Sequence, residues 1–98
     1  MIEVRQTDEF RTWLHALHDD KAITRIVARI RRLEQGNPGD TKSIAGGLLE
    51  MRIDYGPGYR VYYVRRGAVI FVLLCGGNKS TQQRDIKRAR TLAAEMEG

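Results

Sequence analysis

The chain has 98 residues, of which 42% are hydrophobic and 30% are charged, which is the composition of one small folded domain and not of a disordered chain. Seventeen Lys and Arg against twelve Asp and Glu give a formal charge of +5, so we expect an acidic or polyanionic partner, either nucleic acid or protein. The single cysteine excludes an internal disulfide, no Cys and His spacing fits a zinc site, and no apolar run fits a signal peptide or a membrane span. We expect a cytoplasmic protein that needs no metal and no cofactor.

The first part of the chain predicts a short strand and two helices. Alternating apolar residues place the strand at residues 2–6. A helix is predicted from about residue 8 to His18, because apolar residues at positions 10, 13, 14 and 17 share one face. Asp19 and Asp20 can cap a second helix, which the glycines and proline of residues 36–39 end. The two helices are expected to form a hairpin.

From Leu48 the apolar period changes to that of β-strands. Residues 48–54 and 59–64 predict a β-hairpin, and the apolar run 68–75 predicts a central strand covered on both faces. Ser80 and Gln83 match a capping box that starts a terminal helix, while residues 36–47 are expected to form a loop. Residues 1–98 therefore predict one α+β domain of order β-α-α-β-β-β-α. Its mostly antiparallel four-stranded sheet is packed by the helical hairpin and the C-terminal helix.

Parity predicts which side chains of the hairpin share a face. If the odd-numbered residues of both strands are buried, odd positions pair with odd and the loop has an odd number of residues. The opposite face then carries Glu50, Arg52, Arg60 and Tyr62, and the loop after the central strand brings Lys79 to its rim. We expect a cationic, partly aromatic concavity on that face.

These side chains suit RNA cleavage without a metal, which needs a base for the 2′-OH proton, cations for the phosphorane charge and an acid for the 5′-oxygen. Arg52 and Arg60 can each bind two phosphate oxygens with a planar guanidinium. Lys79 can hold phosphate or transfer a proton, and Glu50 is the carboxylate best placed as base. A second interpretation stays open, in which the two arginines are solvated or pair with Glu50 and Asp54.

Other residues are candidates for binding RNA. Parity favours Tyr62 for stacking on a base. A basic stripe on the second helix can meet ribosomal RNA or an acidic partner, although an ordinary solvated helix face also accounts for it; the stripe comprises Lys21, Arg25, Arg29 and Arg32.

Three further reactive residues are predicted to have no catalytic role. His15 and His18 are expected on the surface, because no other metal-ligating side chain has a suitable spacing. Cys75 is expected to be a small core residue, because no histidine lies near it in the sequence.

The pair Gly76 and Gly77 resembles a phosphate-binding loop only loosely.

Three segments, taken together, resemble the RelE/ParE toxin superfamily, and the closest branch is similar to the HigB-like addiction-module killer proteins. The segments are Leu49–Arg52, Gly58–Tyr63 and Leu74–Gln82. The resemblance extends over essentially the whole chain. It implies the toxin of a type II toxin–antitoxin pair, held inactive by an antitoxin that is often a helix-turn-helix protein. Many members of the superfamily cut mRNA in the ribosomal A site.

The resemblance also implies roles for individual residues. Arg60 matches the phosphate-holding arginine of the family's Tyr-Arg strand, Lys79 matches a basic residue after the last strand, and Arg52 matches a strand lysine only approximately. RelE-like nucleases often carry a catalytic Tyr or His on the C-terminal helix, but no tyrosine or histidine follows Tyr63 here. The leading interpretation is a ribosome-dependent, metal-independent endoribonuclease, an mRNA interferase. A ParE-like inhibitor of DNA gyrase is the second, and a degraded toxin that acts only as a binding module is the third.

Overall fold

The computed structural model describes residues 2–97 and contains one mixed β-sheet with helices against both faces. The strands are β1 (Glu3–Gln6), β2 (Thr41–Ile44), β3 (Leu48–Ile53), β4 (Tyr59–Arg66) and β5 (Ile70–Asn78). The helices are α1 (Asp8–His15), α2 (Asp20–Glu34) and α3 (Gln82–Glu97), and short 3₁₀ turns occupy Ala45–Gly47 and Lys79–Thr81. The strand order is β1-β5-β4-β3-β2, in which β1 runs parallel to β5 and the other neighbours are antiparallel. Within residues 2–97, no helix is long and apolar enough to cross a membrane.

The sheet has five strands, so the prediction of four was wrong. The additional strand is β2, which lies within the segment expected to be a loop and pairs with β3, Thr41 opposite Met51 and Ile44 opposite Leu48. Its four residues have mixed polarity, and its two central side chains are exposed. Such an edge strand is held by its backbone hydrogen bonds to a neighbour and not by a buried apolar face. Its sequence therefore shows no apolar alternation from which it could be predicted.

The first two helices form where the caps predict and pack on one face of the sheet. The Thr7 side chain accepts a hydrogen bond from the Phe10 amide at 3.0 Å, and Asp19 caps α2 by accepting from the amides of Lys21 and Ala22. α1 ends at His15, earlier than the predicted His18. The core between these helices and the sheet includes Phe10, Leu14, Ile26, Ile30, Leu33, Met51, Val61 and Tyr63.

α3 covers part of the opposite face, which is why β4 and β5 are apolar on both sides. The second core includes Leu48, Tyr62, Val64, Val72, Leu74 and Ala89. The predicted capping box of Ser80 and Gln83 was wrong. The observed box pairs Asn78 with Thr81, because β5 continues to Asn78 and the 3₁₀ turn begins directly after it.

A β-bulge in β5 sets which residues face α3. Tyr62 lies opposite Cys75 and Tyr63 opposite Leu73, so Leu74 is the extra residue. Leu74 and Cys75 consequently both belong to the core under α3. After Cys75, the odd-numbered residues of β5 face α3, whereas before the bulge the even-numbered ones do.

The two glycines after the bulge allow close packing from opposite sides. A Cβ atom added to Gly76 would lie 2.4 Å from the Trp13 ring, and one added to Gly77 would lie 1.8 Å from Oδ2 of Asp85. Neither distance is tolerable for a real Cβ. The glycines therefore let β5 continue beneath the side chains of Trp13 and Asp85. The sequence placed both glycines in a loop after the strand, and that prediction was wrong.

We predict that Gly77→Ala lowers the free energy of unfolding by about 1–3 kcal/mol, because the new methyl group collides with the Asp85 carboxylate. Urea denaturation of Gly77→Ala, Asp85→Ala and the double variant measures this effect. The double variant should lose less than the sum of the two single losses, since Asp85→Ala removes the colliding atoms. Strictly additive losses would contradict the explanation.

Candidate functional site

The hairpin register predicted from parity is confirmed, and it makes Arg52 on β3 and Arg60 on β4 direct cross-strand neighbours. Lys79 begins the 3₁₀ turn after β5 and lines the same cleft as both arginines. The cleft has a volume of about 490 Å³ and is lined by Asp40, Arg52, Ile53, Asp54, Gly56, Pro57, Gly58, Arg60 and Lys79. The structure thus brings together the three cations proposed for phosphate binding.

The guanidinium of Arg60 is fixed by the turn that precedes β4. Its Nη1 donates hydrogen bonds to the carbonyl oxygens of Gly58 at 3.3 Å and Tyr59 at 3.2 Å. A Cβ atom on Gly58 would lie 3.4 Å from Cβ of Lys79 and 3.5 Å from Nη1 of Arg60. Gly58, with φ of +77°, therefore lies beside both side chains and leaves room for them.

Arg52 is held by the carboxylate of Asp40, which is not among the site residues predicted from the sequence. Its Nη2 and Nε donate to Oδ1 of Asp40 at 2.9 Å and 3.2 Å, and its backbone N–H donates to the Asp40 carbonyl oxygen at 2.9 Å. The Nη1 group of Arg52 makes no hydrogen bond within residues 2–97. One edge of the guanidinium is thus anchored, and the other edge keeps donors for a ligand.

Lys79 is exposed, and its ammonium makes no hydrogen bond or ion pair with the described part of the chain. The cleft contains three cationic side chains and two carboxylates, those of Asp40 and Asp54. Of the cations, only Arg52 is paired with a carboxylate. The arrangement favours an anion, because Arg60 and Lys79 present positive charge without a neutralising partner.

Glu50 is not in this cleft, although it shares a sheet face with the arginines. Its side chain is 1% exposed and accepts a hydrogen bond from Nε2 of Gln82 at 2.7 Å. α3 begins directly above it. The assignment of Glu50 as a base for a substrate bound in the cleft is therefore corrected; its contact with Gln82 ties the start of α3 to β3.

Tyr62 is also buried under α3 and offers no surface on which a base could stack. It lies opposite Glu50, is fully buried, and its hydroxyl has no hydrogen-bond partner within residues 2–97. Burial, and then the nearby Glu50 carboxylate, raise the pKa of Tyr62 well above its usual value. Parity placed Tyr62 on the correct face, but it could not show that a helix covers this half of the face.

The basic stripe of α2 is partly used inside the molecule. Arg29 donates to three backbone carbonyl oxygens, and Arg25 lies over the Tyr55 ring at 4.7 Å from its centroid. Lys21 and Arg32 are exposed. Arg29 was expected to bind RNA, but its guanidinium instead binds the loop before β2 and the strand β3. Lys21 and Arg32 are the exposed members of the stripe that could still meet an outside partner.

Asp40 and Asp54 are the carboxylates at the cleft. Asp54 directly follows β3, and its sequence position predicted only a pairing with the arginines. Asp40 gave no sequence signal, because it precedes a strand that was not predicted. Among residues 2–97, no tyrosine or histidine lines the cleft, and no cluster of His, Cys, Asp and Glu side chains is arranged to hold a metal ion.

A family model described as "Phage derived protein Gp49-like" matches residues 12–96. The chain belongs to the Gp49-like family. This family is associated with toxin–antitoxin-like modules. The chain is also similar to a protein of Haemophilus influenzae (strain ATCC 51907 / DSM 11121 / KW20 / Rd) described as uncharacterized, with 50% identity over 95 residues that cover 97% of this chain and 96% of the relative. These matches support the toxin-like part of the resemblance and do not distinguish a RelE-like from a ParE-like activity.

Cys75 is a core residue of this Gp49-like fold, and His15 and His18 are exposed, as expected. The Cys75 side chain is 4% exposed, and its Sγ lies 3.6 Å from the carbonyl oxygen of Asp85. Burial, followed by the nearby carboxylate of Asp85, raises the pKa of the thiol to about 12. The thiol is therefore not a nucleophile near neutral pH.

We predict that iodoacetamide at pH 8.5 leaves Cys75 of the folded protein unmodified, because the reactive thiolate is scarce and shielded. The same reagent should alkylate the thiol in urea, where the pKa returns to about 8.5. Mass spectrometry measures both reactions. Rapid alkylation of the folded protein, at a rate close to that in urea, would contradict the burial argument.

Proposed function

We propose that this protein is the toxin of a type II toxin–antitoxin pair and that it cuts mRNA on the ribosome. The observation that carries the proposal is the single open cleft shared by Arg52, Arg60 and Lys79. Membership of a family associated with toxin–antitoxin-like modules supports the toxin part. The neutralising partner in this proposal is a cognate antitoxin, expected to be a helix-turn-helix protein.

The three cations suit a phosphate whose charge increases during the reaction. Attack of the 2′-oxygen on phosphorus concentrates negative charge on the equatorial phosphate oxygens, and fixed cations stabilise that state more than the ground state. Arg60 is held by carbonyl oxygens and Arg52 by Asp40, so neither guanidinium must be reoriented when charge develops. Lys79, which lines the same cleft, completes the anion site.

Asp54 is the base in this proposal and Lys79 is the acid. Asp54 replaces Glu50, because Glu50 is buried and Asp40 is engaged with Arg52. The 2′-OH proton passes to the Asp54 carboxylate as the 2′-oxygen bonds to phosphorus. The bond from phosphorus to the 5′-oxygen breaks, and that oxygen takes a proton from Lys79. The products are a 2′,3′-cyclic phosphate and a 5′-hydroxyl end.

This cleft is open, and its lining, as far as residues 2–97 form it, contains no aromatic side chain that could fix a base. Orientation of the 2′-oxygen in line with the leaving oxygen is a large part of the barrier, and intramolecular positioning can supply about 7–11 kcal/mol. The ribosome would hold mRNA in that geometry. We therefore expect little cleavage of free RNA.

We predict codon-phased cuts when the protein is added to an in vitro translation reaction, detected by primer extension. Arg60→Ala should reduce cleavage by about 100-fold or more, because it removes a charge that stabilises the transition state. Arg65→Ala is the matched control, since Arg65 lies on the same strand but binds the carbonyl oxygens of Gly67 and Ala68. Growth arrest by the wild-type chain with intact mRNA would contradict the nuclease.

We predict that Asp54→Asn lowers single-turnover cleavage on programmed ribosomes by about 100-fold or more, the usual contribution of a general base. The variant should also lose the acidic limb of the pH–rate profile, because an amide cannot take the 2′-OH proton. Asp40→Asn should keep that limb, since Asp40 holds Arg52 and accepts no substrate proton. A normal profile for Asp54→Asn would remove Asp54 from the mechanism.

A second candidate is a ParE-like inhibitor of DNA gyrase without a hydrolytic centre. The absence of a tyrosine or histidine from the described cleft lining favours it, since those groups serve as acid or base in related nucleases. A supercoiling assay separates the candidates. Inhibition of gyrase with undamaged mRNA selects this function, whereas normal supercoiling with cut mRNA selects the nuclease.

A further inference from the structure

Arg29 of α2 contacts the backbone of two residues that line the cleft, Arg52 and Asp40. Its Nη1 donates to the carbonyl oxygen of Arg52 at 2.5 Å. Its Nη2 donates to the carbonyl oxygens of Pro38 at 3.1 Å and Asp40 at 3.0 Å. One guanidinium therefore connects three chain segments: α2, the loop before β2, and the strand β3.

Two of those carbonyl groups belong to Arg52 itself and to Asp40, the residue that holds Arg52. Asp40 holds the Arg52 guanidinium through Oδ1 and the Arg52 backbone amide through its own carbonyl oxygen. The same carbonyl of Asp40 accepts from Arg29. A shift of Arg29 would thus move the loop and strand together at the point where Asp40 and Arg52 meet.

Gly39 shows how closely the loop wraps around Arg29. A Cβ atom on Gly39 would lie 2.9 Å from both Nε and Nη2 of Arg29. The Nε group is buried and has no hydrogen-bond partner in the described chain, and burial lowers the pKa of the guanidinium. Both Nη groups of the partly exposed Arg29 are thus engaged by backbone carbonyl oxygens, which argues against direct contact with RNA.

We propose that Arg29 is a positioning residue, which orients the guanidinium of Arg52 in the cleft by anchoring Asp40. The use of Arg52 to bind phosphate rests on the function proposed above. The positioning itself is a property of the free protein. The two can therefore be tested separately.

The first experiment measures Arg52 without any ligand. The ¹⁵Nε–¹Hε signal of Arg52, assigned by its loss in Arg52→Lys, reports the hydrogen bond to Asp40. We expect Arg29→Met to move this signal towards the position of a free arginine. Arg31→Met is the matched control, because Arg31 is an exposed residue of the same helix. An unchanged Arg52 signal in folded Arg29→Met would overturn the proposal.

The second experiment measures binding of a short RNA whose 2′-OH at the cleavage position is replaced by hydrogen. Loss of hydrogen bonds to a charged group predicts that Arg52→Met and Arg29→Met each weaken binding by about tenfold. The double variant should bind no more weakly than Arg52→Met alone, because Arg29 acts through Arg52. Arg29→Lys should restore part of the loss. Independent effects that multiply to about 100-fold would show that Arg29 does not act through Arg52.

Two glycines provide variants that keep Arg29 itself, should Arg29→Met fail to fold. Gly39→Ala places a methyl group against the guanidinium and should displace the Arg52 signal. Gly36→Ala is its control, since Gly36 also has positive φ, of +88°, but a Cβ there meets only Ile2 at 3.7 Å. Equal effects of the two would attribute the shift to backbone strain and overturn the proposal. Failure of the wild-type chain to bind the RNA refutes the phosphate site, while the Arg52 signal still decides the role of Arg29.

Discussion

Two arginines stand directly opposite each other on neighbouring strands, and the site is organised around the cost of that pairing. Like charges at opposed positions of an antiparallel pair destabilise the sheet, by a few tenths to about 1 kcal/mol. Asp40 neutralises Arg52, and backbone carbonyls receive Arg60. A register slip of one residue cannot separate the two cations without exposing the apolar face of the hairpin. Burial of that face thus keeps the two positive charges close together, and binding of an anion would relieve their repulsion.

The position of α3 divides the polar face of the hairpin into two environments. Glu50 and Tyr62 are buried beneath the helix, whereas Arg52 and Arg60, two positions further from the bulge, reach the open cleft. The division follows from β5, since its Gly77 lets Asp85 and the first turn of α3 approach the sheet. Four residues with the same parity therefore have two different roles. The two near the helix fasten it, and the two beyond it face solvent.

The sequence predicted what depends on periodicity. The two helical stripes, the hairpin register and the convergence of the two arginines all follow from apolar spacing, because burial of one face leaves few alternatives. β2, Asp40 and the roles of Arg29 and Tyr62 could not be predicted in this way. β2 is an edge strand held by its partner, Asp40 precedes it, and Arg29 and Tyr62 have their surroundings set by segments distant in the chain. Parity assigns a face but does not show what covers it.

The supporting contacts of the cleft come from backbone groups as much as from side chains. Arg29 donates to three backbone carbonyl oxygens and Arg60 to two. The orientation of each guanidinium therefore depends on the path of the backbone and not on which side chains the accepting residues carry. Positive φ at Gly39 and Gly58 gives these loops their path, and both glycines lie within van der Waals reach of an arginine. The orientation of these arginines is thus determined before any ligand arrives. In the function proposed above, such preorganisation would be the main catalytic contribution of so small a domain, and alignment of the RNA would be left to the ribosome.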